Sequence, residues 1–203
     1  PQPAGRFSAP LPEGVVYVEP FPRRVRARIG DRWVLDSDHV LLVHRPGAPP
    51  TYAFPAADVT GVVTEPEPGE PGHVRVEWSA VDAWFEEEQE VFGHPRNPYH
   101  RVDCVPTKRR LTVRIGDTTL VDTDDTTGVY ETSLAPRLYV DPVAVRTDLL
   151  VPSPTLTYCP YKGTASHWSA TIDGELVADV AWSYEDPLPE CLPIKGMLAF
   201  YDR

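Results

Sequence analysis

The stretch RRVRARIGDRWVLDSD at residues 23–38 returns as RRLTVRIGDTTLVDTD at residues 109–124. Ile29-Gly30-Asp31 falls on Ile115-Gly116-Asp117, and Asp36-Ser37-Asp38 on Asp122-Thr123-Asp124, at one constant offset. Gly-Asp between two alternating segments is a hairpin signal, because the turn needs a residue that tolerates positive φ between strands of period two. Each copy is therefore expected to open with a β-hairpin. Farther on, Thr51–Pro55 aligns with Leu138–Pro142 once a single residue is inserted, which sets Tyr52 against Tyr139. Similarity over more than one turn reads as an internal duplication.

Working outward, β-branched and aromatic residues bounded by Gly, Pro or Asp predict further short strands at 73–78, 167–172, 176–182 and 196–201. Glu mixed with apolar residues predicts one helix within 81–92. The 24 prolines fall between short apolar runs and would break long helices. The fold class is thus all-β: two small β-domains in tandem, with few short helices. The domains are drawn as an N-terminal arm at 1–22, a divergent first β-domain at 23–108 and a second β-domain at 109–203.

Hydrophobic residues at 41% and charged residues at 24% are ordinary globular usage. The net charge of -11 creates a field that repels phosphate backbones and anionic membrane surfaces, so neither nucleic acid nor membrane is expected as a partner. No apolar run approaches the ~20 residues of a membrane span, and the N-terminus lacks a signal-peptide core, so the sequence predicts a cytoplasmic protein. Cys104, Cys159 and Cys191 are odd in number and lack paired spacing, so they read as free thiols and no metal site is expected. No motif implies a cofactor.

The second copy carries Asp122-Thr123, Glu131, Tyr139 to Pro142, Cys159-Pro160-Tyr161-Lys162-Gly163, Trp168, Trp182-Ser183-Tyr184 with Pro187, and Phe200-Tyr201. In this series it resembles the domain-of-unknown-function 427 family (DUF427), sometimes listed as nucleotidyltransferase-like. The first copy resembles the divergent repeat of tandem members, with VDAWFEEE and HPRNPYHRVD segments but no CPYKG. The resemblance implies a compact fold similar to a tent-like two-sheet arrangement. It also marks Glu131 and Tyr139 as family positions, to be weighed against acidic caps beside turns.

Within CPYKG, Pro160 stiffens the chain and Gly163 permits a tight turn, which can bring the Cys159 thiol to the Lys162 ammonium. A nearby cation favours the nucleophilic thiolate, so these two are the catalytic candidates; the bland alternative is a small buried hydrophobe. Trp168, Trp182 and Tyr184, with Tyr161 from the turn, are candidates to line an aromatic pocket edged by Lys162, or else to be core. Arg96 and His100 belong to a basic loop from His94 to Arg101 that can bind an anion or pair with nearby carboxylates.

The combined reading is a protein that binds an unknown small molecule in an aromatic, Lys-lined pocket of the second domain. An enzyme with Cys159 as nucleophile, Lys162 as activator and Tyr184 or His167 as proton donor is the rival reading. A protein-interaction module is the third. The sequence leaves the ligand and the oligomeric state open.

Overall fold

The computed structural model describes residues 14–202. The chain divides into two units, one extending to Pro98 and the other beginning at Tyr99. Residues 1–13 of the expected arm lie outside the described residues.

The first unit contains β1 (Tyr17–Phe21), β2 (Val25–Ile29), β3 (Arg32–Ser37), β4 (Val40–His44), β5 (Thr51–Pro55), β6 (Glu65–Pro66), β7 (His73–Arg75), β8 (Ala83–Glu86) and β9 (Gln89–Val91). They form a five-stranded sheet, β1-β4-β5-β7-β6, and a four-stranded sheet, β3-β2-β8-β9. Alternation explains β2: Val25 and Ala27 are fully buried while Arg26 and Arg28 take the other face, with Arg26 over the Trp33 ring at 4.7 Å. Val25, Leu35, Leu42, Tyr52, Phe54 and Trp84 meet in one core.

The helix expected within 81–92 is absent; that segment is the β8–β9 hairpin. From Trp84 its side chains alternate: Trp84 and Glu86 are buried, Phe85 takes the opposite face, and Glu87 turns the chain at φ 52°. Glu86 is held inside because its carboxylate accepts from Tyr52 Oη at 2.6 Å and from Arg23 at 2.5 Å. A run of glutamates suggested helix, but pairing with β2 decided the outcome.

The second unit contains β10 (Val102–Thr107), β11 (Leu111–Ile115), β12 (Thr118–Thr123), β13 (Thr126–Glu131), β14 (Arg137–Tyr139), β15 (Leu150–Cys159), β16 (Gly163–Ile172), β17 (Glu175–Ser183) and β18 (Leu198–Phe200). The sheets are β10-β13-β14, β11-β12 and β15-β16-β17-β18. All helical segments among the described residues are short 3-10 turns, so the chain is mainly β.

The duplication extends to backbone detail. Both hairpins shift register at equivalent places, between Ala27 and Arg28 and between Val113 and Arg114. Gly30 and Gly116 turn them at φ 56° and 57°. Arg24 grips Asp36 through two bonds of 2.7 and 2.5 Å, and Arg110 grips Asp122 through two of 2.8 and 2.7 Å.

The structure corrects the alignment at one point. Leu41 pairs with Ala53, and its counterpart Thr127 pairs with Tyr139, so Tyr139 occupies the position of Ala53 and no residue is inserted. Tyr52 is therefore one residue out of phase with Tyr139. In a strand of period two this sends the tyrosines to opposite faces. Tyr52 enters the core of the first unit, whereas Tyr139 joins Val129, Ala165, Tyr184 and Cys191 in a second cluster, and its neighbour Val140 faces the cluster of Leu120, Val180 and Leu198.

The copies run together until the bridges Leu35↔Val59 and Val121↔Val145. The first then returns almost directly through β7, which pairs with β5. The second inserts the long strands β15 to β17 before β18, where Val140 and Leu198 exchange backbone bonds of 2.9 Å. β15 is the edge of its sheet, consistent with Pro152 and Pro154, which remove ladder donors.

Candidate functional site

The inserted strands position the CPYKG turn. Cys159 ends β15 opposite Gly163, which begins β16 at φ 98°, a conformation that favours glycine; a Cβ there would also come within 3.4 Å of the Asp186 carbonyl. Lys162 is fixed through its backbone, donating to Cys159 O at 3.3 Å and accepting from Leu188 N at 3.0 Å.

With the backbone held, the Lys162 side chain turns inward and its ammonium pairs with the Glu131 carboxylate at the end of β13. Both residues are buried. His100 Nε2 donates to the other oxygen of Glu131 at 3.0 Å, and the His100 ring stacks on Tyr161 at 3.8 Å and 16°. Burial opposes the charge on Glu131, but the His100 bond and the Lys162 cation outweigh it and hold the carboxyl below its ordinary value. Burial likewise opposes the Lys162 charge, yet the adjacent Cys159 and Glu131 raise its pKa. The pair is ionised at neutral pH.

The pair forms one wall of a recess of about 310 Å³. Alternation on β13 and β14 puts Val129, Glu131, Arg137 and Tyr139 on its face, while Trp182, Tyr184, Thr157 and Tyr201 supply the rest. Trp182 Nε1 donates to Tyr139 Oη at 2.9 Å with the rings at 89°, and Tyr201 lies 4.5 Å from the Trp182 ring. Burial raises the pKa of the Tyr139 and Tyr184 phenols, so both remain neutral donors.

Five of the candidate residues, Glu131, Tyr139, Lys162, Trp182 and Tyr184, thus come together. Cys159 lies beside Lys162 at the turn, and Tyr161 and His100 stack behind Glu131. Trp168 lies elsewhere: its indole donates to Ser183 Oγ at 3.1 Å and packs on the cluster of Leu120 and Val180. Arg96 belongs to the first unit, where its charge acts on Tyr52. His167 sits behind the wall, sharing a 3.0 Å hydrogen bond with Thr157 and stacking near Tyr201.

Sequence reasoning missed Thr157 and Arg137. Thr157 is two residues before Cys159, so recognising β15 as a strand would have placed it on the same face. Arg137 precedes Tyr139 by two and follows by the same rule.

The first unit has a separate recess of about 270 Å³, bordered by Tyr52, Trp78 and Trp84, whose indoles stack at 4.9 Å and 15°. Its counterpart to Glu131 is Arg45, which pairs with the buried carboxylate of Glu67 and donates to Thr51 Oγ1 at 2.8 Å. The sign of that pair is reversed.

These two repeats and the CPYKG turn are the features that a comparison with known families tests. The sequence profile of the family described as a domain of unknown function, DUF427, matches residues 17–85 and 103–203. The chain belongs to the DUF427 family. The double match makes it a tandem DUF427 member, with β1 and β10 each opening a matched segment. No curated protein matches this DUF427 chain. Among the described residues, no group of three or more His, Cys, Asp or Glu is arranged to hold a metal ion, and no helix is long and apolar enough to cross a membrane.

Proposed function

We propose that the second repeat binds a small molecule in the recess between the CPYKG turn and β17. The observation that carries this reading is the convergence of Lys162, Glu131, Tyr139, Trp182 and Tyr184 from four separate strands and turns on one concavity of about 310 Å³. A largely apolar wall with a few fixed polar groups is the usual composition of such a site. Trp182 and Tyr201 offer ring faces for a flat group, and Lys162, Arg137 and the Thr157 hydroxyl offer polar contacts that set orientation.

Native mass spectrometry of the protein purified from its own cells tests this. A retained small molecule that Trp182→Ala no longer holds, while its thermal melt stays cooperative, is the expected result. Retention unchanged in both Trp182→Ala and Lys162→Ala would remove this recess as the site.

A catalytic use of the same recess is favoured by one contact, the Lys162 ammonium beside the Cys159 thiol. Lys162 would then stabilise a Cys159 thiolate. Alkylation by iodoacetamide near neutral pH separates the readings: a fast Cys159, slowed by Lys162→Met, supports nucleophilic chemistry, and an inert Cys159 supports binding alone.

A further inference from the structure

The recess leaves two thiols unused. Cys104 stands on β10, half-buried, and Cys191 lies fully buried in the 3-10 turn Pro189–Ile194. Cys104 packs against the cluster that contains Cys191, Ile194, Tyr139 and Tyr184. β10 packs on the 189–194 turn, so both thiols belong to one cluster, and Cys191 Sγ lies 3.7 Å from the Tyr161 carbonyl. β10 and the 189–194 turn are distant in sequence, so the fold alone creates this thiol pair.

The partners differ in character. The neighbouring Cys191 thiol, more than the opposing burial, lowers the Cys104 pKa, and the Lys162 cation adds to the effect. Cys191 moves the other way, raised by Cys104 and by burial. Cys104 is therefore the more acidic thiol and also the one with access to solvent. An accessible thiol of lowered pKa, next to a second thiol, is the arrangement found where oxidation proceeds to a disulfide.

We infer that Cys104 and Cys191 form a dithiol–disulfide couple that reacts with hydroperoxides. The Cys104 sulfur attacks the peroxide oxygen, the O–O bond breaks, and an alcohol or water departs, leaving Cys104 as a sulfenic acid. The Cys191 sulfur then attacks the Cys104 sulfur; the S–O bond breaks and the hydroxyl leaves as water with the Cys191 proton. Two thiols are oxidised by two electrons in all, and one hydroperoxide is reduced to its alcohol. The new bond ties β10 to the 189–194 turn under the Tyr161 carbonyl. It also removes the Cys104 thiol from the surroundings of Lys162.

Hydrogen peroxide added in stoichiometric amount to the reduced full chain, followed by iodoacetamide in denaturant and digestion without reductant, tests the couple. The expected result is loss of two of the three alkylatable thiols, a Cys104–Cys191 linked peptide that dithiothreitol reverses, and a Cys159 that remains alkylatable. In Cys191→Ala the link should vanish and dimedone should trap a sulfenic acid on Cys104. Recovery of Cys104 and Cys191 both alkylated, a link through Cys159 instead, or overoxidation of Cys104 without any link would overturn the inference. The wild-type digest decides the matter even if Cys191→Ala does not fold.

Discussion

The first repeat ties the end of β4 to the β6–β7 turn with Arg45 and a buried Glu67; the second ties the end of β13 to the CPYKG turn with Glu131 and a buried Lys162. The strand-end positions Arg45 and Glu131 correspond, while their partners come from different turns and the signs are exchanged. Each repeat thus joins a strand end to a turn through an ion pair, in opposite polarity. What differs is the consequence for the surface nearby. In the second repeat the arrangement brings a lysine and a tyrosine to an open recess, because Tyr139 has changed face relative to Tyr52 and the inserted strands β15 to β17 build a further wall.

The sharpest way to break this comparison is to remove the cation on each side. Lys162→Ala leaves Glu131 buried with only His100, and Arg45→Ala leaves Glu67, whose side chain is wholly buried, without its cation. Removing one partner of a buried pair costs about 3–5 kcal/mol. Denaturant unfolding of both variants should show losses of this size. A loss below about 1 kcal/mol in one of them would mean that the pairs are not equivalent. The inverted double variant, Glu131→Lys with Lys162→Glu, should recover part of the loss.

The second test uses acid. Glu131 has a folded pKa below its ordinary 4.5, so the stability it contributes is present above about pH 4.5 and is lost as pH falls through the folded value. Glu131→Gln should therefore melt lower at neutral pH and depend less on pH below 4.5 than the wild type. Equal acid slopes in thermal melts of the two proteins would show that Glu131 is not the group responsible.

The smallest effect concerns the paired hairpins. Gly30 and Gly116 sit at nearly the same positive φ with nothing within 4 Å of an added Cβ, so Gly30→Ala and Gly116→Ala should each cost about 1 kcal/mol through backbone strain alone. Calorimetric melts of the two variants should give equal shifts if the duplicated hairpins also share their energetics. Unequal shifts would show that packing beyond the turn has diverged.

The hairpins were legible because a turn needing positive φ leaves a local signature in Gly-Asp. The recess was partly legible for a related reason: CPYKG, Glu131 and the Trp182/Tyr184 pair are marked by family resemblance and alternation. Trp168 was not separable from them, since alternation gives a face but not which of two clusters that face meets. The phase of Tyr139 was obscured by a matching Tyr-x-x-Pro pattern one residue away, and only the pairing Thr127↔Tyr139 reveals it. β15 escaped notice because its two prolines argue against a central strand, whereas the edge of a sheet tolerates them. The Cys104–Cys191 contact had no sequence signature, as it depends on which distant segments pack.

That edge has a bearing on self-association. An open strand border normally offers its unsatisfied amides to any extended segment that approaches, and long flat borders nucleate aggregation. On β15, Pro152 and Pro154 withhold two of those amides, and the register breaks between Pro152 and Leu156. An incoming chain would meet a ladder with missing rungs and a bend in the middle, even though Val151 and Leu156 leave apolar surface exposed there. Imino acids thus guard this border in an otherwise strand-rich molecule, and replacing both prolines would be the most direct way to make it adhesive.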